Sequence, residues 1–77
     1  GSGTPDFQIV VGSFGNKQNA QNYMDALAGR GYDAYLAGTS GNYTRVAVGR
    51  LADENSALNL LAEIRQDVNY QAWLNEN

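Results

Sequence analysis

Residues 7–14 read FQIVVGSF. In an extended chain Phe7, Ile9 and Val11 point to one side and Gln8 and Val10 to the other, and the composition is β-favouring, so the stretch reads as a strand. Gly12-Ser13 closes it where a turn residue is wanted. The phrase returns as YTRVAVGRL at residues 43–51, with Gly49 in the place of Gly12 and Leu51 in that of Phe14. The echo runs on: positions 12 and 49, 14 and 51, 20 and 57, 23 and 60, 24 and 61, and 27 and 64 all lie 37 residues apart. Ala34-Tyr35-Leu36 then matches Ala72-Trp73-Leu74 at a spacing of 38. One β-α-β unit is written twice.

Neither unit can bury its apolar face alone. Two of them folded together give β-α-β-β-α-β, an α+β ferredoxin-like arrangement with a four-stranded antiparallel sheet and two helices on one face. Strands one and three are the most β-branched and are expected to pair in the middle. Asn16 precedes the stripe Ala20, Tyr23, Met24 and Leu27, which predicts a helix over about residues 17–28. Gly29 and Gly31 supply left-handed positions to stop it, with Arg30 near the negative end of the helix dipole. Residues 32–36 are read as strand two, 39–42 as a loop and 43–49 as strand three. Asp53 caps a second helix, Glu54 suits its positive start, and Ala57, Leu60, Leu61 and Ile64 form its stripe, ending near Gln66. Residues 70–74 are read as strand four and 75–77 as a polar tail. Residues 1–6 read as an expression scar and lead-in to a single domain over 7–77, with pseudo-repeats at 7–38 and 43–75; any anchor or signal peptide would lie outside this fragment.

Composition narrows the chemistry. A chain of 77 residues holds one small domain that buries a little over ~60% of its unfolded surface. With no cysteine there is no disulfide or thiolate metal site, and with no histidine there is no imidazole ligation and no Ser-His or Cys-His nucleophile pair. No cofactor is expected, and an enzyme is not. The net charge of −3, eight carboxylates against five cations, argues against a phosphate-backbone binder. Glu63 and Asp67 stand four apart on the second helix, on the side away from the sheet face, and read as a solvated edge rather than a glycosidase pair. Gly12-Ser13-Phe14-Gly15 lacks the spacing of a phosphate loop and reads as a turn.

Function is sought on the face the helices leave open. By strict alternation that face carries Gln8, Val10, Asp33, Tyr35, Tyr43, Arg45, Ala47, Gln71 and Trp73, while Ile9, Val11, Ala34, Leu36, Val46, Val48, Ala72 and Leu74 meet the helices. Aromatic rings with a charged partner on a shallow sheet suit planar-faced ligands, either bases by stacking or sugars by CH–π contact. Such residues also serve small sheets as cross-strand pairs worth ~0.2–1 kcal/mol each.

The doubled pattern resembles the SPOR (sporulation-related repeat) family over about Phe7 to Leu74: IVVGSF, an Asn/Ala-containing helix and a Gly-Tyr strand, then Tyr43-x-Arg45-Val46-x-Val48-Gly49, a second helix and an Ala-aromatic-Leu strand. The resemblance implies a bacterial envelope protein in the periplasm whose open sheet face binds septal peptidoglycan, favouring glycan strands from which amidases have removed the stem peptides. Carried over residue by residue, Ser13, Tyr43 and Arg45 match the family pattern. The frequent glutamine two positions before the first glycine falls on Val10, with Gln8 one step away on the same face. The usual Gly-Pro-Phe of the second phrase is Gly49-Arg50-Leu51, which makes Arg50 either a further contact or a solvated turn residue. The expected ligand-binding set is therefore Gln8, Val10, Ser13, Tyr35, Tyr43, Arg45 and Trp73. Rings would act as platforms, and Arg45 as the partner of a muramic lactyl carboxylate. Two other readings of the face stand beside this one. The first is a protein-interaction or homodimerisation surface, including cell-division partners. The second is an RNA-binding sheet, against which the acidic charge counts.

Overall fold

Capping chemistry sets the two helices. In the computed structural model, which describes residues 7–76 and of Ser40 the backbone alone, the order is β1 (Phe7–Phe14), α1 (Lys17–Gly29), β2 (Ala34–Ser40), β3 (Tyr43–Leu51), α2 (Glu54–Asp67) and β4 (Trp73–Glu76). The lead-in and the final tail residue expected from the sequence lie outside the described residues. The Asn16 side chain accepts from the backbone N–H of Gln18 and Asn19 at 2.8 and 3.3 Å, and that of Asp53 from Ser56 at 2.9 Å. Each satisfies donors that a helix start leaves open. The chain leaves α1 through Gly31, with φ +96°. There the Gly31 N–H reaches the Ala28 carbonyl and the Tyr32 N–H the Leu27 carbonyl, a closure that needs a left-handed residue. Gly29, expected to share that task, is instead the last helical residue.

The sheet order is β2-β3-β1-β4, with all neighbours antiparallel. The two strands of highest β-branched content lie in the middle, as their composition predicts. Ile9, Val11, Val46 and Val48 pack with Ala20 and Leu27 of α1 and with Leu61 and Ile64 of α2, so both helices cover the same face. Ile9 and Ile64 are fully buried, and each contributes about 1.5–3 kcal/mol by leaving water.

Several strand boundaries differ from the sequence reading, β3 among them, which runs to Leu51 rather than Gly49. β2 starts at Ala34 rather than Tyr32, because the Tyr32 N–H is spent on closing α1. It then runs to Ser40, which pairs with Tyr43, so the expected four-residue loop shrinks to Gly41-Asn42 with Gly41 at φ +63°. β4 starts at Trp73 rather than Tyr70. Asn69 builds a turn instead, its Oδ1 accepting from the Gln71 N–H and its carbonyl from the Ala72 N–H, both at 3.0 Å. The strand continues through the expected tail to Glu76, opposite Phe7.

Two bulges decide which side chains reach the open face. Between Val10 and Gly12, β1 carries one residue more than β3 opposite it, since Val10 faces Ala47 and Gly12 faces Val46. Between Leu51 and Val48 it is β3 that carries the extra residue, against Phe7 and Ile9. An extra residue inverts the alternation beyond it. Ser13, which strict alternation would send toward the helices with Ile9 and Val11, stands opposite Arg45. Arg50, which alternation would send inward with Val46 and Val48, lies on the open face over the Tyr35 ring. Gly12 and Gly49, one at each bulge, are the repeat-related pair, and Gly49 sits at φ +82°.

Candidate functional site

Across the open face one row of residues runs Tyr35 on β2, Ala47 on β3, Val10 on β1 and Trp73 on β4, each in register with the next. Small side chains in the middle and rings at the ends make a trough. Ala47 is 0% and Val10 1% exposed, although no helix covers this face. The cover comes from the face itself. The Arg45 guanidinium carbon lies 5.6 Å from the centroid of the Trp73 ring. Because β1 separates β3 from β4, the Arg45 side chain must cross β1 above the trough floor to get there. Val10 is therefore a floor residue and not the exposed contact that alternation suggested.

A second stack closes the other side. The Arg50 guanidinium carbon lies 4.0 Å from the Tyr35 ring centroid, and the Tyr35 hydroxyl donates to the Gly49 carbonyl at 2.7 Å. The bulge thus both delivers Arg50 to the face and anchors the ring beneath it. Cation–π contacts of this kind are worth about 0.5–1 kcal/mol where exposed and more where desolvated.

The remaining expected residues are distributed around the trough. Ser13 is exposed beside Arg45, and Gln8 is half-buried opposite Asn75 of β4. Tyr43, 56% exposed, stands at the hairpin end, opposite Ser40 and near Gly15. Asp33 and Gln71, expected on the face, are not strand residues. Asp33 precedes β2 and its carbonyl accepts from the Gly49 N–H at 2.9 Å, while Gln71 belongs to the turn before β4. Arg50 and Asn75 join the face without having been expected there as strand residues. A glycine inside a strand run is the signal that could have found Arg50, since it marks a bulge.

Charge on this face runs against the rest of the chain. Among the described residues its strand positions hold Arg45 and Arg50 and no carboxylate, in a protein of net charge −3. No group of three or more Asp, Glu, His or Cys able to hold a metal occurs among the described residues. A cleft of about 190 Å3 opens beside Trp73. Another, of about 380 Å3, lies between Arg30, Tyr32, Gly49, Leu60 and Glu63. There burial, followed by the negative charges of Glu63 and Asp67, holds the Tyr32 hydroxyl above its ordinary pKa.

Fold and face together define a small β-α-β-β-α-β module with a concave, aromatic-walled, locally cationic sheet. The SPOR domain family model matches residues 3–74, and the chain belongs to that family. Among solved structures it is similar to the solution structure of the peptidoglycan binding domain of the B. subtilis cell wall lytic enzyme CwlC. The TM-score is 0.78 at 18% identity, over 100% of this chain and 95% of that one. At that identity the likeness is one of fold. A sequence search of curated proteins returns no match.

Proposed function

We propose that this chain is a non-catalytic peptidoglycan-binding module of the bacterial cell envelope, acting on the periplasmic side as a septal targeting element. Its open sheet face reads glycan strands that have lost their stem peptides. The observation that carries this reading is the trough: Ala47 and Val10 as the floor, Tyr35 and Trp73 as walls, and an arginine laid on each ring. Membership of the SPOR family supports it, as does the likeness of fold to a domain described as peptidoglycan binding.

The chemistry follows from the ligand. A sugar ring offers an apolar CH face to an indole or phenol and a rim of oxygens to hydrogen-bond donors. In intact peptidoglycan the lactyl carboxyl of each muramic residue is tied up in an amide to the stem peptide. Removing the peptide frees a carboxylate, which a planar guanidinium can take in two parallel hydrogen bonds. Arg45 and Arg50 supply such groups where no carboxylate competes. Several modest terms of this kind sum to the ~8 kcal/mol of a micromolar complex.

The test is retention of the protein by purified bacterial sacculi, untreated and amidase-treated, with the Tyr43→Ala/Arg45→Ala double variant alongside. Retention should rise on amidase treatment and collapse in the double variant. A folded wild type that is not retained would overturn the glycan reading. A second reading, self-association or binding to a division protein, is favoured by the exposure of Trp73 at 42% and Tyr43 at 56%. A concentration-dependent sedimentation coefficient, abolished by Trp73→Ala, would support it.

A further inference from the structure

β2 is an outer strand of the sheet, and its free side is poorly guarded. Exposed edges are ordinarily blunted by charge, proline, brevity or a bulge. β4, at the other end, has four residues and carries Glu76, whereas β2 runs for seven, AYLAGTS, without a charge or a proline. The phase of its ladder follows from one bond. The Gly49 N–H donates to the Asp33 carbonyl at 2.9 Å while Ala34 pairs with Val48, so Tyr35 and Ala47 exchange hydrogen bonds. The N–H and C=O of Leu36 therefore point outward, with the Ala34 carbonyl beside them. Further on, Ala37-Gly38 stand against Arg45 alone and bend the strand, Gly38 at φ +103°. The edge on offer is residues 34–36, and a strand added there needs a second hold.

That hold lies at the start of the strand. The cleft of about 380 Å3 opens between the turn that leads into β2 and Leu60 and Glu63 of α2, on the side of the sheet that carries the helices. Leu60 and the Tyr32 ring give it apolar surface, and Asp33 and Glu63 bring exposed carboxylates to it. Arg30, the cation of the lining, is turned aside: it donates to the Asp67 carbonyl at 3.3 Å and lies 5.7 Å from the Tyr32 ring centroid. Burial, then the charges of Glu63 and Asp67, hold the Tyr32 hydroxyl above its ordinary pKa against the opposing pull of Arg30. The local field is negative, and the C-terminal end of α1 beside it adds to that.

We propose that the β2 edge and this cleft together dock a basic peptide segment of a protein partner, as an added strand that pairs with Ala34 and Leu36 and carries a lysine or arginine into the cleft. Residues opposite each other across a ladder project to the same side of the sheet, so the peptide residue facing Ala34 points, as Ala34 does, toward the helices. A lysine at that place lays its stem on Leu60 and the Tyr32 ring and sets its ammonium between Asp33 and Glu63. Charge complementarity selects this occupant over a second copy of the chain, whose own β2 brings no cation. β2 and Trp73 of β4 stand at opposite edges of the sheet, so a peptide here leaves the trough of the open face clear. The module then joins a partner protein to whatever that face holds.

The probe is a short peptide of alternating threonine and valine with one central lysine, titrated into isotope-labelled protein and followed by NMR. The amides of Leu36 and of residues around Glu63 should shift, and the Trp73 indole should not. Replacing the lysine by norleucine should weaken binding about tenfold. Methylating the peptide nitrogens that face β2 should cost about as much, because it removes the ladder donors and keeps the lysine, while methylating the alternate nitrogens should cost little. Asp33→Asn and Glu63→Gln, both at exposed positions and checked for folding by circular dichroism, should each lose most of the preference for lysine over norleucine. Equal binding of those two peptides by wild type would overturn the cleft's role, and indifference to the methylated positions would overturn strand addition. β2 amides that shift with protein concentration before any peptide is added would show that a second copy takes the edge, against the proposal. Failure of the lysine peptide to bind at all would also overturn it. No glycan enters the experiment, so none of these outcomes touches the proposed function.

Discussion

The two arginines of the open face differ in how they came to be there. Arg45 is reached by plain alternation along β3, and its position two residues after Tyr43 marks it in the sequence. Arg50 arrives only through the extra residue beside Gly49. Both lie on rings, and this orients the guanidinium planes and holds down the entropy of two long side chains before any ligand arrives. Replacing Arg45 by Lys keeps the charge and loses both the planar fork and the stacking on Trp73. Affinity for amidase-treated glycan strands should fall about tenfold, measured by Trp73 fluorescence, with the melting temperature little changed. Undiminished binding by Arg45→Lys would rule out two-pronged carboxylate capture.

Among the elements, the bulges connect sequence to site. Alternation along β1 and β3 correctly placed Ile9, Val11, Val46 and Val48 against the helices, because Ile9, Val46 and Val48 precede the irregularities and Val11, which stands in one, keeps to the helix side. It failed at Arg50 because a bulge is a property of two strands and has no counterpart in the periodicity of one. The Gly49 backbone shows what the irregularity needs: φ is +82°, and a Cβ there would sit 2.8 Å from Leu60 Cδ2. Gly49→Ala should therefore destabilise the fold by about 1–3 kcal/mol in chemical denaturation, from the left-handed backbone and crowding against α2 together. Glycan affinity should fall as well, since Arg50 and the carbonyl that holds Tyr35 both belong to this bulge. A variant as stable as wild type would mean that β3 can straighten its register without loss. The short β4 was illegible for a related reason. Tyr70-Gln71-Ala72 has strand composition, but Asn69 turns the backbone there by hydrogen bonds that compete with a ladder.

Taken whole, the molecule is acidic with one cationic face, and it has no histidine to titrate near neutrality. Its pH response should appear on the alkaline side. Burial raises the Tyr23 hydroxyl above its ordinary value, and the Arg30 charge offsets part of that shift. A phenol whose folded pKa is raised favours the protonated fold. Its contribution is complete below the unfolded value of about 10 and is lost as the pH climbs through the folded one. Melting temperature should thus decline above about pH 10, and Tyr23→Phe, which keeps the ring packed against Phe14 but removes the proton, should make that decline shallower. A variant that tracks wild type throughout pH 9–11.5 would show that the Tyr23 hydroxyl is as easily ionised folded as unfolded.

What the sequence determined by itself is the architecture. Strand and helix periodicities are local, the spacing of 37 between like residues writes them out twice, and two half-buried β-α-β units have few ways to cover each other. It also marked Ser13, Tyr43, Arg45 and Trp73 through their residue types and the family pattern they complete. Tertiary structure alone decided the relief of the face. Pairing β1 with β3 created the bulges that turned Ser13 and Arg50 outward, and placing β1 between β3 and β4 let Arg45 lie across Val10 to reach Trp73. The late start of β4 left the cleft beside Trp73. Each of these depends on which strand lies beside which and in what register. Such relations are long-range and leave no period in the chain.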